Sequence, residues 1–298
     1  MPTRITTLPE LSPRAPDSHK GSFGRVLIVG GSRGMSGAAV LAGSAALRGG
    51  AGLVEVASPS EVQPIIAAGN PCYLTTPLPQ DASGRLSTDA ASVILQRSEL
   101  ADVVALGPGL GMSDGVCQVV RVVLTEVLKP VVLDADGLNA LGQLTPRPQR
   151  PASAPLILTP HPGEFSRLTG RPITEVQANR EQLAAEFPPG PNVVLVLKGH
   201  GTIVTDRERL YVNDTGNPGL ATGGTGDVLT GLIAALLAQG FAPFEAAQLG
   251  VYLHGLAGDI ARDHKTEYAM VATDVLDHLP SAFLHYARKC QRSFGFRV

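Results

Sequence analysis

Short apolar runs alternate along this chain with longer stretches that have helical spacing. The runs are rich in branched aliphatic residues, which is typical of strands buried on both faces of a parallel sheet. The predicted strands are 26–29, 103–106, 131–133, 156–158 and 193–197. Helices are predicted over 36–48, 116–128, 177–187 and 228–237, and the last of these is uncharged. The alternation predicts an α/β fold: a three-layer α/β/α sandwich around a mostly parallel sheet.

Two shorter segments, 202–205 and 209–212, flank the polar triplet Asp206-Arg207-Glu208. This pattern predicts a β-hairpin that adds antiparallel strands at the edge of the sheet. No internal repeat and no linker interrupts the 298 residues. We therefore predict a single domain over 1–298, with about 1–20 as an N-terminal extension.

A glycine-rich or polar cluster follows every predicted strand of the parallel sheet. Ligands of open α/β sheets bind beyond the carboxyl ends of the strands, so these clusters are expected to form the active site together. The clusters are Gly30-Gly31-Ser32, Gly107-Pro108-Gly109, Asp134-Ala135-Asp136-Gly137, Thr159-Pro160-His161-Pro162-Gly163 and Lys198-Gly199-His200-Gly201.

Composition argues against several classes of partner. The net charge is −2 and there is no long Lys/Arg run, so neither a nucleic acid nor a membrane is an expected partner. The three cysteines have no metal-binding spacing, which favours the reducing cytoplasm. No apolar run approaches the length of a membrane span, and the first twenty residues lack the apolar core of a signal peptide.

The most informative segment is a glycine-rich loop that leads into the uncharged helix. Gly224, Thr225 and Gly226 precede Asp227, and a helix start offers unpaired N–H groups and a partial positive charge. Such a loop suits a transferring phosphoryl group, and Asp227 could accept the proton of an attacking hydroxyl. The alternative is that Asp227 only caps the helix and the glycines only form a turn. Neither a Walker A motif nor a clean dinucleotide-binding fingerprint is present.

Several blocks in order, from about residue 19 to residue 231, resemble the ADP-dependent NAD(P)H-hydrate dehydratase family, whose fold is ribokinase-like. They are His19-Lys20-Gly21, Gly30-Gly31-Ser32 with Ser36-Gly37-Ala38-Ala39, Ala45-Ala46-Leu47-Arg48 with Gly50-Ala51-Gly52-Leu53-Val54, Gly107-Pro108-Gly109-Leu110-Gly111, Leu133-Asp134-Ala135-Asp136-Gly137-Leu138-Asn139, Thr159-Pro160-His161-Pro162-Gly163-Glu164, Lys198-Gly199, and the loop 217–227.

The resemblance implies that hydrated NADH and NADPH (NADHX and NADPHX, S-epimers) are phosphorylated by ADP or ATP and then lose phosphate. It implies Asp227 as base, with the amides of Gly224, Thr225 and Gly226 on the phosphoryl group. Residues implied to bind the hydrate are Ala46, Gly109, His161 and Asp227. Those implied to bind the nucleotide are Lys198, Gly199, His200, Gly201, Thr202 and Gly226. Mg²⁺ is implied as cofactor, with Asn139 and Glu164 as candidates for contact through water.

Other interpretations stay open for single residues. His161 between two prolines could simply cap a loop, and Gly109 and Ala46 could simply pack closely. Lys198 at a strand end could be a solvated charge. His254, His264, His278 and His285 have no ligand spacing and are predicted to be structural or solvated.

Two departures from the family pattern affect these expectations. Met35 stands where the family often has an aromatic residue. The sequence also has no counterpart of the epimerase domain that some relatives carry, so a separate epimerase is expected. By the same resemblance we expect a homotetramer. The alternative functions are a kinase of a small vitamin precursor (a hydroxyethylthiazole or hydroxymethylpyrimidine) and a non-catalytic nucleotide-binding regulator.

Overall fold

A ten-stranded sheet organises the structure, a computed structural model that describes residues 2–187 and 190–293. The strands are β1 (Thr3–Arg4), β2 (Arg25–Val29), β3 (Leu53–Pro59), β4 (Leu74–Leu78), β5 (Val103–Leu106), β6 (Val131–Leu133), β7 (Leu156–Leu158), β8 (Val193–Leu197), β9 (Ile203–Thr205) and β10 (Arg209–Val212). Their order across the sheet is β1-β10-β9-β8-β7-β6-β5-β2-β3-β4.

Eleven α-helices surround this sheet in the described residues. They are α1 (Ser36–Arg48), α2 (Gln63–Gly69), α3 (Ala90–Glu99), α4 (Asp114–Glu126), α5 (Ala135–Gln143), α6 (Pro162–Thr169), α7 (Ile173–Ala178), α8 (Arg180–Glu186), α9 (Thr225–Ala238), α10 (Pro243–Lys265) and α11 (Ala272–Ser293). No helix in the described part of the chain is long and apolar enough to cross a bilayer.

The five predicted strands are confirmed as β2, β5, β6, β7 and β8, and neighbours among them pair in parallel. Strands β3 and β4 were not predicted from the apolar pattern. Neither strand is a continuous apolar run: β3 contains Glu55, and β4 has the sequence Leu-Thr-Thr-Pro-Leu. Glu55 is buried, and Arg97 donates to both of its carboxylate oxygens at 2.6 and 2.7 Å. This pairing explains how a charged residue is accommodated inside the sheet.

Alternate side chains of each strand enter one of two hydrophobic cores, as a sheet buried on both faces requires. Val26 and Ile28 of β2 belong to the core with α1, α9, α10 and α11, and Leu27 and Val29 belong to the core with α3 to α6. The predicted three-layer α/β/α sandwich is therefore confirmed.

Helix α9 packs very closely on α1. A methyl group on Gly231 of α9 would lie 2.0 Å from the carbonyl oxygen of Ala42, so only glycine fits at this crossing. Eleven of the fourteen residues of α9 are buried, which agrees with its lack of charge after Asp227. This close contact fixes the position of the helix start.

Several elements differ from the sequence prediction, and the predicted helix 116–128 is observed two residues earlier, as α4. The predicted helix 177–187 is wrong as a single element, because the backbone breaks at Asn179 between α7 and α8. Helix α9 begins three residues before the predicted 228, so Asp227 lies inside its first turn. The predicted hairpin is confirmed as β9 and β10, but it is not the last pair of the sheet, because β1 pairs in parallel with β10.

Candidate active site

The start of α9 lies at the carboxyl edge of the parallel strands. Thr230 on the second turn of α9 donates from Oγ1 to Oδ2 of Asp134, the residue that follows β6, at 2.8 Å. A methyl group on Gly226 would lie 3.3 Å from Nζ of Lys198, the residue that follows β8. The glycine-rich loop and two of the strand-end clusters therefore form one site.

Gly224 and Thr225 shape the first turn of α9. Gly224 has φ of +93°, and a methyl group there would lie 2.6 Å from Cδ1 of Leu41, so this position requires glycine. Thr225 donates from Oγ1 to the carbonyls of Leu220 and Thr222 at 2.9 and 3.1 Å, which fixes the loop against the helix. The first amides of α9 have no hydrogen-bond partner within the helix. Gly223, just before them, borders free space, because a methyl group on it would meet no atom within 4 Å. An anion can therefore approach the helix start.

Asp227 is partly buried in this first turn. Burial, and after it the charge of Asp134, raise the pKa of the Asp227 carboxyl from 3.8 to about 7, although the ammonium of Lys198 acts in the opposite direction. No described residue donates a hydrogen bond to this carboxylate. A carboxylate with these properties can take up a proton near neutral pH, as a general base must.

Lys198 is held by two carboxylates. Its Nζ lies 2.8 Å from Oδ1 of Asp134 and 3.9 Å from Oε2 of Glu164. Burial alone would lower the pKa of the ammonium, but Asp134 and Glu164 outweigh it and raise the pKa above 10.5. Lys198 is therefore a fixed, charged group in the site and not a solvated one.

A cavity of about 600 Å³ opens beside the helix start. All six residues predicted to bind the nucleotide line it: Lys198, Gly199, His200, Gly201, Thr202 and Gly226. The opposite wall is formed by the loop 215–221 and by residues of α9 and α10, including Leu229 and Val251. The lining thus combines the cationic Lys198 beside Gly226 with apolar side chains such as Leu229 and Val251 and further polar ones such as Asn217, which suits a nucleotide with its phosphates at Gly226.

His161 serves as the N-cap of α6. Its Nδ1 accepts hydrogen bonds from the amides of Gly163 and Glu164 at 2.9 and 3.3 Å, and the Glu164 carboxylate accepts from the His161 amide at 2.7 Å. Burial, followed by the charges of Lys198 and Arg167, lowers the pKa of His161, so the ring is neutral at pH 7. The interpretation of His161 as a capping residue is therefore confirmed. The Nε2 side of the ring is half-exposed and 3.4 Å from Glu164 Oε1, so it can still meet a ligand.

Gly109 lies against the loop that precedes α1. Its φ is +62°, its carbonyl accepts from Ser32 Oγ at 2.8 Å, and a methyl group on it would lie 2.9 Å from Ala38 Cβ. Met35, which is partly exposed, lies beside it. Ala46 is placed differently: it is fully buried in the core on α1, so the structure does not bring it to the site. Ala38 is the alanine of α1 that borders Gly109.

Asn139 and Glu164 differ as candidates for contact with a metal. Asn139 Oδ1 already accepts from Nη1 of Arg167 at 2.5 Å, and this cation would repel a second one. Burial raises the pKa of Glu164, whose carboxylate lies beside Lys198. Within the described residues no group of three or more His, Cys, Asp or Glu side chains is arranged to hold a metal ion. The side chains thus fit a metal that a bound nucleotide carries, with a contact through water, and not an all-protein site.

Sequence reasoning missed two residues of this region, Arg180 and His254, and left the role of Asp134 open. Arg180 donates to the carbonyls of Leu197 and Lys198, and Asp134, which belongs to a strand-end cluster expected at the active site, is the centre of a buried network. His254, predicted to be structural or solvated, lines the cavity and lies 2.9 Å from the Thr225 carbonyl through Nε2. Burial lowers the pKa of His254 to about 4, so it is neutral. No spacing in the sequence links these residues to the loop.

The three other histidines predicted to be structural or solvated do not line the cavity. His264 and His278 stack on each other with ring centroids 5.2 Å apart, and His285 is exposed on α11. Their predicted structural or solvated state agrees with these positions.

Comparison with known proteins gives one consistent family. Residues 26–281 match the family model described as NAD(P)H-hydrate dehydratase. The ADP-dependent (S)-NAD(P)H-hydrate dehydratase of Neisseria meningitidis serogroup B is 42% identical over 84% of this chain and 81% of its own length. The bifunctional NAD(P)H-hydrate repair enzyme of Moorella thermoacetica is 47% identical over 91% of this chain and 51% of its own length. The chain thus spans about half the length of the bifunctional relatives that it matches.

A solved structure agrees with these relatives. The ADP/ATP-dependent NAD(P)H-hydrate dehydratase of Bacillus subtilis, co-crystallised with ATP and Mg²⁺, superposes with a TM-score of 0.80 at 35% identity. The match covers 93% of this chain and 94% of that one. The fold is ribokinase-like, as predicted.

Proposed function

The chain belongs to the NAD(P)H-hydrate dehydratase family, and from this premise we propose that it restores NADH and NADPH from their hydrates. The proposed reaction takes the S-epimers of NADHX and NADPHX with ADP and yields NADH or NADPH, AMP and phosphate. One observation carries the proposal: Asp227, with its pKa near 7, follows directly after Gly226, which lines the cavity with Lys198. A base and a phosphoryl-binding region are thus adjacent.

The reaction needs a leaving group better than hydroxide. In the proposed first step, the hydroxyl oxygen of the hydrated ring attacks the β-phosphorus of ADP, its proton passes to Asp227, and AMP leaves. In the second step the lone pair of the ring nitrogen forms a C=N bond as the C–O bond breaks and phosphate leaves. The neighbouring ring carbon then loses a proton to water, and the C–H electron pair forms the C=C bond of the restored dihydronicotinamide. A kinase-like site therefore produces a dehydration.

The residues around Asp227 divide into two proposed groups. The amides of Gly224, Thr225 and Gly226 and the ammonium of Lys198 stabilise charge on the transferring phosphoryl group, and losing one such donor costs about 10²–10³ in rate. The loop from Lys198 to Thr202 holds the rest of the nucleotide. The hydrate lies on the side of Asp227 where His161 and Gly109 are found. Ala46, being fully buried in the core, is not included in this group.

We propose Mg²⁺ as the ion that accompanies the nucleotide. Its chemical contribution would be to neutralise phosphate charge, and Glu164 would contact it through water. Asn139 is the weaker candidate because Arg167 occupies its oxygen. The support is the donor set described above, together with the ATP and Mg²⁺ in the Bacillus subtilis crystals.

ADP is proposed as the preferred phosphoryl donor, with ATP as an alternative. The Neisseria relative is named as ADP-dependent and the Bacillus structure as ADP/ATP-dependent. We further propose a cytoplasmic homotetramer, to be checked by light scattering. Because the R-epimer of the hydrate needs conversion first, the enzyme should act together with an epimerase activity that lies outside the matched region.

The deciding experiment mixes the protein, Mg²⁺, chemically prepared NADHX and either ADP or ATP. Return of dihydronicotinamide absorbance, with one phosphate released per NADH formed, is the expected result. Accumulation of a stable phosphorylated product would instead indicate a vitamin-precursor kinase. Absence of any recovery with both donors would contradict the proposal, provided that the protein is folded and binds ADP.

A further inference from the structure

The carboxylate of Asp134 is occupied entirely by the protein itself. Its Oδ1 accepts from Lys198 Nζ and from Thr159 Oγ1, and its Oδ2 accepts from Thr230 Oγ1, each at 2.8 Å. The residue is 1% exposed, so it cannot touch a ligand. These partners come from the ends of β7 and β8 and from α9. The carboxylate therefore connects three elements of the site at one point.

We propose that Asp134 is a positioning residue for the reaction: it fixes Lys198 beside Gly226 and sets the electrostatic field in which Asp227 takes up its proton. This inference rests on the function proposed above and deepens it. Asp134 acts through Lys198 and Asp227 and contacts neither the hydrate nor the nucleotide.

Helix capping does not explain this carboxylate. Asp134 stands at the N-cap position of α5, where an aspartate commonly accepts a hydrogen bond from a helix amide, but its side chain makes no such bond. Its oxygens are directed instead to Lys198 and the two threonine hydroxyls. The hydrogen bonds of Asp134 thus serve the site and not the local helix.

The position of Lys198 depends directly on Asp134. The ammonium is largely buried, and Asp134 is the only carboxylate within 3 Å of it in the described residues. A buried charge that loses its partner becomes costly and moves toward water or another charge. Because Nζ lies against Gly226, even a small displacement changes the contact that a phosphoryl group at the helix start would meet.

The electrostatic potential at the Asp227 carboxylate depends on four neighbouring charged residues. Asp134 and Asp136 belong to the start of α5, Glu164 to α6 and Lys198 to the end of β8. His254 of α10 is neutral and adds no charge. The three carboxylates favour the protonated form of Asp227, with Asp134 first among them, and Lys198 opposes them. When the negative charge of Asp134 is removed, one of the charges that raise the pKa of Asp227 is lost, while Lys198 still lowers it. The pKa of Asp227 must therefore fall.

The protonation of Asp227 can be measured directly by NMR titration of protein that is isotopically labelled at the aspartate side-chain carboxyl carbons. The Asp227→Asn variant assigns the Asp227 signal. Asp134→Asn should move the Asp227 midpoint to lower pH by about one pH unit or more, as expected for loss of a near carboxylate. It should also weaken ADP binding, measured by calorimetry, by about tenfold, as for loss of one charge-assisted contact. Asp89→Asn, on an exposed residue without a capping bond, is the matched control and should change neither value.

Lys198→Met should shift the Asp227 midpoint in the opposite direction. This variant provides a second test if Asp134→Asn does not fold. Removal of the ammonium should raise the Asp227 midpoint, because Lys198 is the charge that opposes protonation of Asp227. An unchanged midpoint in either folded variant would overturn the inference. The titration needs no hydrate, so it remains decisive even if the dehydration assay fails and the proposed function falls.

Discussion

The guanidinium of Arg180 donates from Nη2 to the main-chain carbonyl of Lys198 at 3.2 Å. The same nitrogen donates to the Leu197 carbonyl at 3.1 Å, and Nη1 donates to the carbonyl of His200. Arg180 is not among the residues that line the cavity, although Lys198 and His200 are. The single arginine on α8 thus holds three carbonyls of the nucleotide loop without contacting the cavity itself.

Replacing Arg180 should therefore weaken nucleotide binding more than it slows chemistry. Arg180→Lys keeps the charge, but an ammonium cannot bridge three carbonyls that a planar guanidinium spans. We expect KM for ADP to rise by about tenfold with kcat nearly unchanged, which corresponds to roughly one lost charge-assisted hydrogen bond. Steady-state kinetics at several ADP concentrations measure this difference.

The control for this variant is Arg171→Lys. Arg171 lies on the surface and pairs with Glu175 one helical turn away, outside the nucleotide loop. It should leave KM for ADP unchanged. A fall in kcat at constant KM in Arg180→Lys would show that the arginine does not act through nucleotide binding.

Activity should depend on pH through Asp227. A base must be ionised, and burial, with Asp134, raises the pKa of this carboxyl to about 7. The rate at limiting hydrate should therefore increase about tenfold per pH unit below pH 7 and level off above it. Profiles of kcat/KM between pH 5 and 9 test this, and a flat profile over that range would rule out Asp227 as the base.

The same carboxyl should limit the stability of the fold. The folded-state pKa of Asp227 is raised above its ordinary 3.8, so protonation favours the folded state. Its stabilising contribution is complete below pH 3.8 and is lost as the pH rises through 7. Asp227→Asn removes the buried charge, and it should raise the free energy of unfolding at pH 8 by a few kcal/mol, because each tenfold change in proton affinity corresponds to about 1.4 kcal/mol.

This stability prediction is checked by thermal unfolding of both proteins at pH 4 and pH 8. The gain in Tm should be large at pH 8 and small at pH 4. The variant should meanwhile lose nearly all dehydration activity while it still binds ADP. A variant with lower Tm than the parent protein at pH 8 would contradict the assignment of a destabilising buried carboxylate.

A methyl group at Gly226 should disturb the phosphoryl site without unfolding the protein. In Gly226→Ala the new Cβ would lie 3.3 Å from Lys198 Nζ, the flexible end of a side chain that can move by a few tenths of an ångström. Displacing Lys198 from the helix start should reduce kcat by about 10²-fold, as for loss of one preorganised donor. Gly190→Ala, outside the cavity lining, is the matched control, because a methyl group there meets no atom within 4 Å.

Much of the architecture could be predicted from the sequence because strands buried on both faces carry a strong local signal. Continuous branched apolar runs identified β2 and β5 to β8, and the strand-end clusters predicted the edge at which the site forms. The loop before α9 was also readable, since Gly224 and Gly226 beside Asp227 suit an anion-binding helix start whatever surrounds them. These features depend on residues that are neighbours in the chain.

The tertiary structure decided everything that depends on residues far apart in sequence. Asp134 and Thr230 are separated by 96 positions, and Arg180 reaches its loop from another helix, so no local pattern reveals either contact. The contact of Ala38 with Gly109 has the same cause, because only the packing of α1 determines which of its alanines meets the loop. Local sequence thus set the backbone elements, and long-range burial and charge set the chemistry of their side chains.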